Sequence, residues 1–177
     1  MHRLVSETVD VALRRAVLAM AVAATLIVFS GCGSRSEREP APQFSYTLLD
    51  GARKSSEALR GKVVLVSFWA TSCASCVKKM PQLVATHHQF QARGFETLAV
   101  AMSYDAPASV SDFAQSRGLP FGVVIDNTGA IAKAFSGVQG TPTTFVIDKH
   151  GAIARRIVGE LDFNELKLLV DRLLTEA

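Results

Sequence analysis

Apolar positions recur with two periods along the chain and predict strands and helices in alternation. Near-continuous apolar runs rich in β-branched and aromatic residues predict strands at 62–69, 97–102, 121–126, 143–148 and 153–158. Apolar residues at helical spacing predict helices at 73–93, 107–117, 130–135 and 162–175. A short strand or hairpin is expected at 44–48, before the turn signal Asp50-Gly51. This order predicts an α/β fold with a mixed central sheet flanked by helices.

The N-terminus follows a different pattern. Two arginines precede an apolar run at 16–29, and these fourteen residues are fewer than the roughly twenty that a membrane-spanning helix needs. Small residues then lead into Cys32, an arrangement that resembles the lipobox of bacterial lipoproteins. We therefore expect residues 1–31 to be a signal peptide or membrane anchor and Cys32 to carry lipid. An uncleaved anchor and an ordinary cleaved signal remain the alternatives.

Residues 32–42 carry no large apolar side chain and are small, charged and proline-containing, which predicts a flexible tether. The globular pattern begins at residue 43, so the domain is predicted to span 43–177. A domain of that length buries a sizeable core without disulfide staples.

The net charge of the chain is small and indicates no charged partner. The chain has 19 Lys and Arg and 16 Asp and Glu, a formal net charge of +3. Removal of residues 1–31 takes away three basic and two acidic side chains and leaves +2. Phosphate-backbone binding requires a clustered basic surface, and the sequence contains no such run, so we expect no nucleic-acid partner.

The candidate chemistry lies in the cysteines. Of three cysteines, Cys32 is assigned to lipid, and the other two form the motif Cys73-Ala-Ser-Cys76 at the predicted start of a helix. Cysteines three residues apart on a helix can form and break a disulfide in place. The helix N-terminus lowers the pKa of Cys73, which is therefore the predicted nucleophile, and Cys76 is the resolving thiol. No cofactor beyond this redox-active disulfide is expected.

Two other uses of the cysteine pair are open. Half of a zinc site would need two more ligands, but His87 and His88 lie roughly 16 Å farther along the same helix, so no metal is expected. A purely structural disulfide across so short a loop would stabilise the fold little. The neighbouring Lys78 and Lys79 fit a solvated helix face, or stabilise a thiolate.

Two segments carry a family resemblance. Residues 66–81, Val-Ser-Phe-Trp-Ala-Thr-Ser-Cys-Ala-Ser-Cys-Val-Lys-Lys-Met-Pro, and 140–148, Gly-Thr-Pro-Thr-Thr-Phe-Val-Ile-Asp, resemble the TlpA and ResA group of thioredoxin-like proteins. The resemblance implies a thioredoxin-like fold with the central insert of this group at about 107–126. It also implies a cis Thr141-Pro142 bond beside the cysteines, which presents a backbone edge to substrates, and Trp69 packed under the site.

The resemblance further implies a function. Members of this group reduce disulfides of exported proteins, apocytochrome c among them, with electrons from a membrane thiol reductase of the DsbD or CcdA kind. The implied location is the extracytoplasmic face of a membrane. This chain departs from the family pattern at Ser72, Ser75 and Lys79, where tryptophan, proline and glutamate are common, and these changes affect the redox potential.

Two further functions remain as alternatives. A peroxiredoxin-like peroxidase would place Thr or Ser three residues before the reactive cysteine, where this chain has Ala70. A copper-binding or apoprotein-binding thiol chaperone would use the same thiols without turnover.

Overall fold

The computed structural model of the chain describes residues 38–176, and its elements occur in the predicted order. The strands are β1 (Ser45–Thr47), β2 (Arg53–Ser55), β3 (Val63–Trp69), β4 (Phe95–Ala101), β5 (Gly122–Ile125), β6 (Thr143–Ile147) and β7 (Ile153–Val158). The helices are α1 (Ala74–Phe90), α2 (Pro107–Arg117), α3 (Ala130–Ala134) and α4 (Phe163–Thr175). Two short 3-10 helices, Ser56–Leu59 and Gln91–Arg93, follow β2 and α1.

A five-stranded sheet forms the centre, in the order β5-β4-β3-β6-β7. The strands β3, β4 and β5 run parallel, whereas β6 is antiparallel to β3 and β7 to β6. The predicted mixed sheet and α/β class are confirmed. The predicted early hairpin is also present, since β1 pairs antiparallel with β2 across the turn at Gly51.

Side chains of β3 alternate between two apolar layers, as a strand buried on both faces requires. Val63, Leu65 and Trp69 pack with residues of α1, α2 and α4. The alternate residues 64, 66 and 68 pack on the other side with α3, the hairpin residue Tyr46 and several phenylalanines. The sheet is thereby covered on both faces, and β3 is held rigidly at its centre.

Residues 38–41, which the sequence predicts to be part of the tether, contact the domain. Pro40 pairs with Ala152, and the Arg38 guanidinium contacts the carboxylates of Asp148 and Glu176 at 2.9 and 3.0 Å. These polar contacts hold a segment that has no apolar pattern, so hydropathy could not assign it to the domain. Residues 1–31 and Cys32, the predicted leader and lipidation site, lie outside the described residues.

The direction of the strands brings the two sequence motifs together. The strand β3 ends at Trp69, directly before the turn that carries Cys73. Because β6 is antiparallel to β3, its first residue, Thr143, lies opposite Phe68. The Thr141-Pro142 bond therefore precedes β6 at the same end of the sheet as the cysteines.

Candidate redox site

The helix α1 begins beneath Cys73, as predicted. Cys73 is the N-cap residue, and its sulfur accepts a hydrogen bond from the backbone N–H of Cys76 at 3.2 Å. A second polar contact joins the Cys73 sulfur and the Ser75 hydroxyl at 3.5 Å. The first turn of α1 contains no acidic residue. A sulfur at this position receives both a backbone donor and the positive end of the helix dipole, which together favour its thiolate.

Cys73 and Cys76 are joined by a disulfide in this structure, with a Cα–Cα distance of 5.2 Å. That separation is within the usual range for disulfides, so the pair can close without moving the helix. Cys73 is half-buried, whereas Cys76 is only 6% exposed. Cys73 is therefore the sulfur that an incoming molecule can reach.

Trp69 supports the site from below. It is 1% exposed and packs on Phe113 of α2, with 5.1 Å between the ring centroids. Its indole N–H has no hydrogen-bond partner among the described residues. The position fits the packing role implied by the family resemblance.

The peptide bond between Thr141 and Pro142 is cis, as the resemblance implied. The carbonyl of Pro142 accepts a hydrogen bond from the N–H of Gly159 at 2.9 Å. Within residues 38–176, no backbone hydrogen bond engages Thr141, which is half-buried. The backbone of Thr141 is thus available to pair with another chain.

The site has two halves, the cysteine pair and the Thr141-Pro142 segment. A small cavity of about 30 Å³ lies between them. Cys76, Trp69 and Pro142 all line it, which places the cis proline beside the cysteine pair. Lys79 also lines this cavity and forms an ion pair with Glu160 at 3.8 Å. Lys78, in contrast, is exposed.

The sequence did not single out the segment that connects the two halves. The carboxylate of Asp105, which is 7% exposed, accepts hydrogen bonds from the Thr71 N–H and the Thr71 hydroxyl, both at 2.6 Å. The neighbouring Tyr104 hydroxyl lies 3.3 Å from that of Thr141. These residues follow β4, the parallel neighbour of β3. Polar residues at the carboxyl ends of adjacent parallel strands were the available signal.

Across residues 38–176, no group of three or more His, Cys, Asp and Glu side chains is arranged to hold a metal ion. In the same residues, no helix is long and apolar enough to cross a bilayer.

Comparison with known proteins gives a consistent result. A family model described as Redoxin matches residues 36–169. The chain is 33% identical over 108 residues to the thiol-disulfide oxidoreductase ResA of Bacillus subtilis, a match over 61% of this chain and 60% of that relative, less than two thirds of its length. ResA of Geobacillus thermodenitrificans is 33% identical over 134 residues, which are 76% of this chain and 75% of that protein.

A solved structure is also similar. The crystal structure of a thioredoxin-family thiol:disulfide interchange protein from Chlorobium tepidum superposes with a TM-score of 0.72 at 30% identity. The match covers 80% of this chain and 99% of that one. The fold of the described residues is therefore thioredoxin-like.

Proposed function

Because this chain belongs to the Redoxin family, and within it to the ResA-like thiol-disulfide oxidoreductases, we propose that it reduces disulfides of exported proteins with Cys73 and Cys76. The observation that carries this proposal is the arrangement of the two sulfurs. One caps a helix at the protein surface, and the other lies one turn behind it within bonding distance.

The reaction begins with both cysteines reduced. The Cys73 thiolate attacks one sulfur of a client disulfide, which forms a mixed disulfide and releases one client cysteine as a thiolate that takes up a proton. Cys76 then loses its proton and attacks the Cys73 sulfur. The second client thiol leaves, so two electrons have passed to the client and Cys73–Cys76 is oxidised.

The client is held next to Cys73 by the Thr141 backbone. Thr141 precedes the cis proline and has no backbone partner in the described part of the chain, so an extended client segment can pair with it as a short strand. Trp69 keeps the base of the site packed. These roles rest on the position of the residues beside the cysteines and on the family resemblance.

The cellular setting of the proposal comes from the N-terminus and the family. Cys32 carries a lipid that tethers the domain to the extracytoplasmic face of a membrane. Clients are exported proteins with disulfides, including apocytochrome c during cytochrome c maturation. A membrane thiol reductase of the DsbD or CcdA kind returns two electrons to the Cys73–Cys76 disulfide.

A single-turnover experiment with two variants tests the proposal. The probe is a synthetic peptide with an internal disulfide, mixed with reduced protein and analysed by mass spectrometry after acid quenching. We expect the wild-type protein to release the peptide with two free thiols. The Cys76→Ser variant should stop at a mixed disulfide on Cys73, because no second thiol displaces the peptide.

The Cys73→Ser variant is the matched control, since it keeps Cys76 but lacks the exposed nucleophile. It should form almost no mixed disulfide. Capture on Cys76 at the same rate as on Cys73, or no peptide reduction by the wild-type protein, would refute the proposed reaction.

A further inference from the structure

Exposed large apolar side chains are few in residues 38–176, and half of them lie near the redox site. They are Leu49, Tyr104, Val158 and Leu168. Tyr104 is 60% exposed and Val158 is 71% exposed. Singly exposed apolar residues are common, but two close to the Thr141-Pro142 segment call for an explanation.

Tyr104 lies on a fixed backbone. The next residue, Asp105, is nearly buried, and its carboxylate holds both the N–H and the hydroxyl of Thr71 at 2.6 Å. The Asp105 N–H in turn donates to the Met102 carbonyl at 2.9 Å. Thr71 is two residues before Cys73, so this carboxylate keeps Tyr104 in a constant position relative to the turn that carries the nucleophile.

The Tyr104 side chain also reaches the other half of the site. Its hydroxyl lies 3.3 Å from the Thr141 hydroxyl, next to the backbone edge that receives the client. Most of the ring remains exposed to solvent. A tyrosine held in this way offers a large contact area at a low cost in conformational entropy, which is the property of residues that dominate binding interfaces.

Val158, the last residue of β7, lies near the Thr141-Pro142 segment. It pairs with Thr143 at the start of β6, and Gly159, which follows it, donates to the Pro142 carbonyl. The Thr141-Pro142 segment thus has two exposed apolar residues near it, Tyr104 in the loop after β4 and Val158 at the end of β7.

We propose that Tyr104 is a specificity-determining residue that contacts an apolar or aromatic side chain next to the client's disulfide cysteine. The client segment is extended and pairs with Thr141, as the proposed function requires. The enzyme therefore prefers disulfides whose cysteines have apolar neighbours. This inference rests on the proposed function.

Steady-state reduction of three disulfides tests it with the full chain, with dithiothreitol as the reductant that regenerates the dithiol and its direct reaction with each disulfide subtracted. Two probes are peptides of equal length and charge, with Phe and Leu or with Ser and Gly beside the disulfide cysteine, and the third is cystamine. We expect the wild-type protein to prefer the apolar peptide. Tyr104→Ala should lower kcat/KM for that peptide by about tenfold, the loss typical of an interface anchor, and remove the preference.

Two further variants test whether the ring of Tyr104, and not any exposed apolar side chain, contacts the client. Tyr104→Phe keeps the ring and should keep the preference, whereas Leu168→Ala removes an exposed apolar side chain of α4 and should change nothing. Cystamine reduction should be equal in all variants, because cystamine has no apolar side chain next to its disulfide that could contact the Tyr104 ring.

The possible failures are distinguishable. If the wild-type protein reduces none of the three disulfides, the proposed function itself is wrong. If cystamine is reduced but the peptide preference survives Tyr104→Ala, only the role of Tyr104 is wrong. An equal loss on all three disulfides, or a loss in Tyr104→Phe as large as in Tyr104→Ala, also overturns that role.

Discussion

Cys73 and Cys76 differ in their surroundings, and the difference assigns their roles in the proposed reaction. Cys73 has a backbone donor, the end of a helix and access to solvent. Cys76 is buried behind it in a cavity wall. Burial disfavours a thiolate and a nearby cation favours it, so we expect Lys79, which lines the same cavity as Cys76, to assist Cys76 as a nucleophile.

Replacement of Lys79 by methionine tests this dependence. Lys79 is three residues after Cys76 and therefore lies on the same side of α1. Loss of its charge should raise the pKa of the Cys76 thiol, because the nearby cation no longer stabilises the thiolate. The measurement is the rate of Cys76 alkylation against pH in a Cys73→Ser background, followed by mass spectrometry.

Lys78→Met provides the control, since Lys78 is exposed on the same turn of the helix. Lys78→Met should leave the dependence of Cys76 alkylation on pH unchanged. Identical profiles for Lys79→Met and the parent protein would show that the ion pair with Glu160 already neutralises Lys79.

The individual site residues were predictable to different degrees. Cys73 and Cys76 follow from spacing alone, because their chemistry depends on one helical turn. The sequence left Lys79 between a solvated face and a role at the thiolate, and the structure places it both in the cavity lining and in an ion pair with Glu160. Tyr104 and Asp105 act through contacts with Thr71 and Thr141, which are distant in sequence, so their place shortly after β4 is the one signal that the sequence offers for them.

The helix α1 supports the site and also contains a buried titratable group. His87 is 4% exposed, and its ring nitrogen lies 3.2 Å from the Thr97 hydroxyl. Burial is the main cause that lowers the pKa of His87 below its ordinary value of 6.5, and Glu96 opposes this effect. The folded protein therefore holds His87 neutral under conditions in which the unfolded chain binds a proton.

This difference makes stability depend on pH. Below about pH 6.5 the unfolded chain binds one more proton at His87 than the folded protein, so the free energy of unfolding falls as the pH falls. The His87→Gln variant cannot bind this proton and should lose less stability between pH 7.5 and 5.5. Urea unfolding at both values measures the difference.

The exposed His88 provides a matched comparison: its charge lowers the pKa of His87 less than burial does, so His88→Gln should change the dependence on pH less than His87→Gln. If His87→Gln and the wild-type protein lose the same stability on acidification, His87 is not held neutral by the fold.

The helices and strands themselves were largely predictable, because periodicity reflects which side chains each element buries. Asp162 illustrates the local signals, since it caps α4 by accepting from the N–H groups of Asn164 and Glu165. Residues 38–41 were not predictable as part of the domain. They are held by backbone pairing and by Arg38, and neither leaves an apolar pattern in the sequence.

The strand directions of the central sheet explain how the cysteine turn and the cis proline come together in one domain. A parallel β3 places the turn of Cys73 at its carboxyl end, and an antiparallel β6 returns the cis proline to that end. At the other end of β6, Asp148 contacts Arg38 near the start of the domain. The meeting of the two motifs was expected from the family resemblance and not from periodicity, which does not give strand order.

The most direct test of the account is the alkylation of both cysteines in the reduced wild-type protein across pH, with each site followed by mass spectrometry. The account predicts that Cys73 reacts first, with a midpoint below the pKa of about 8.5 of a free cysteine, because it caps α1. Cys76 should react more slowly at every pH. An inert Cys73, a midpoint at or above the free value, or faster reaction at Cys76 would contradict it.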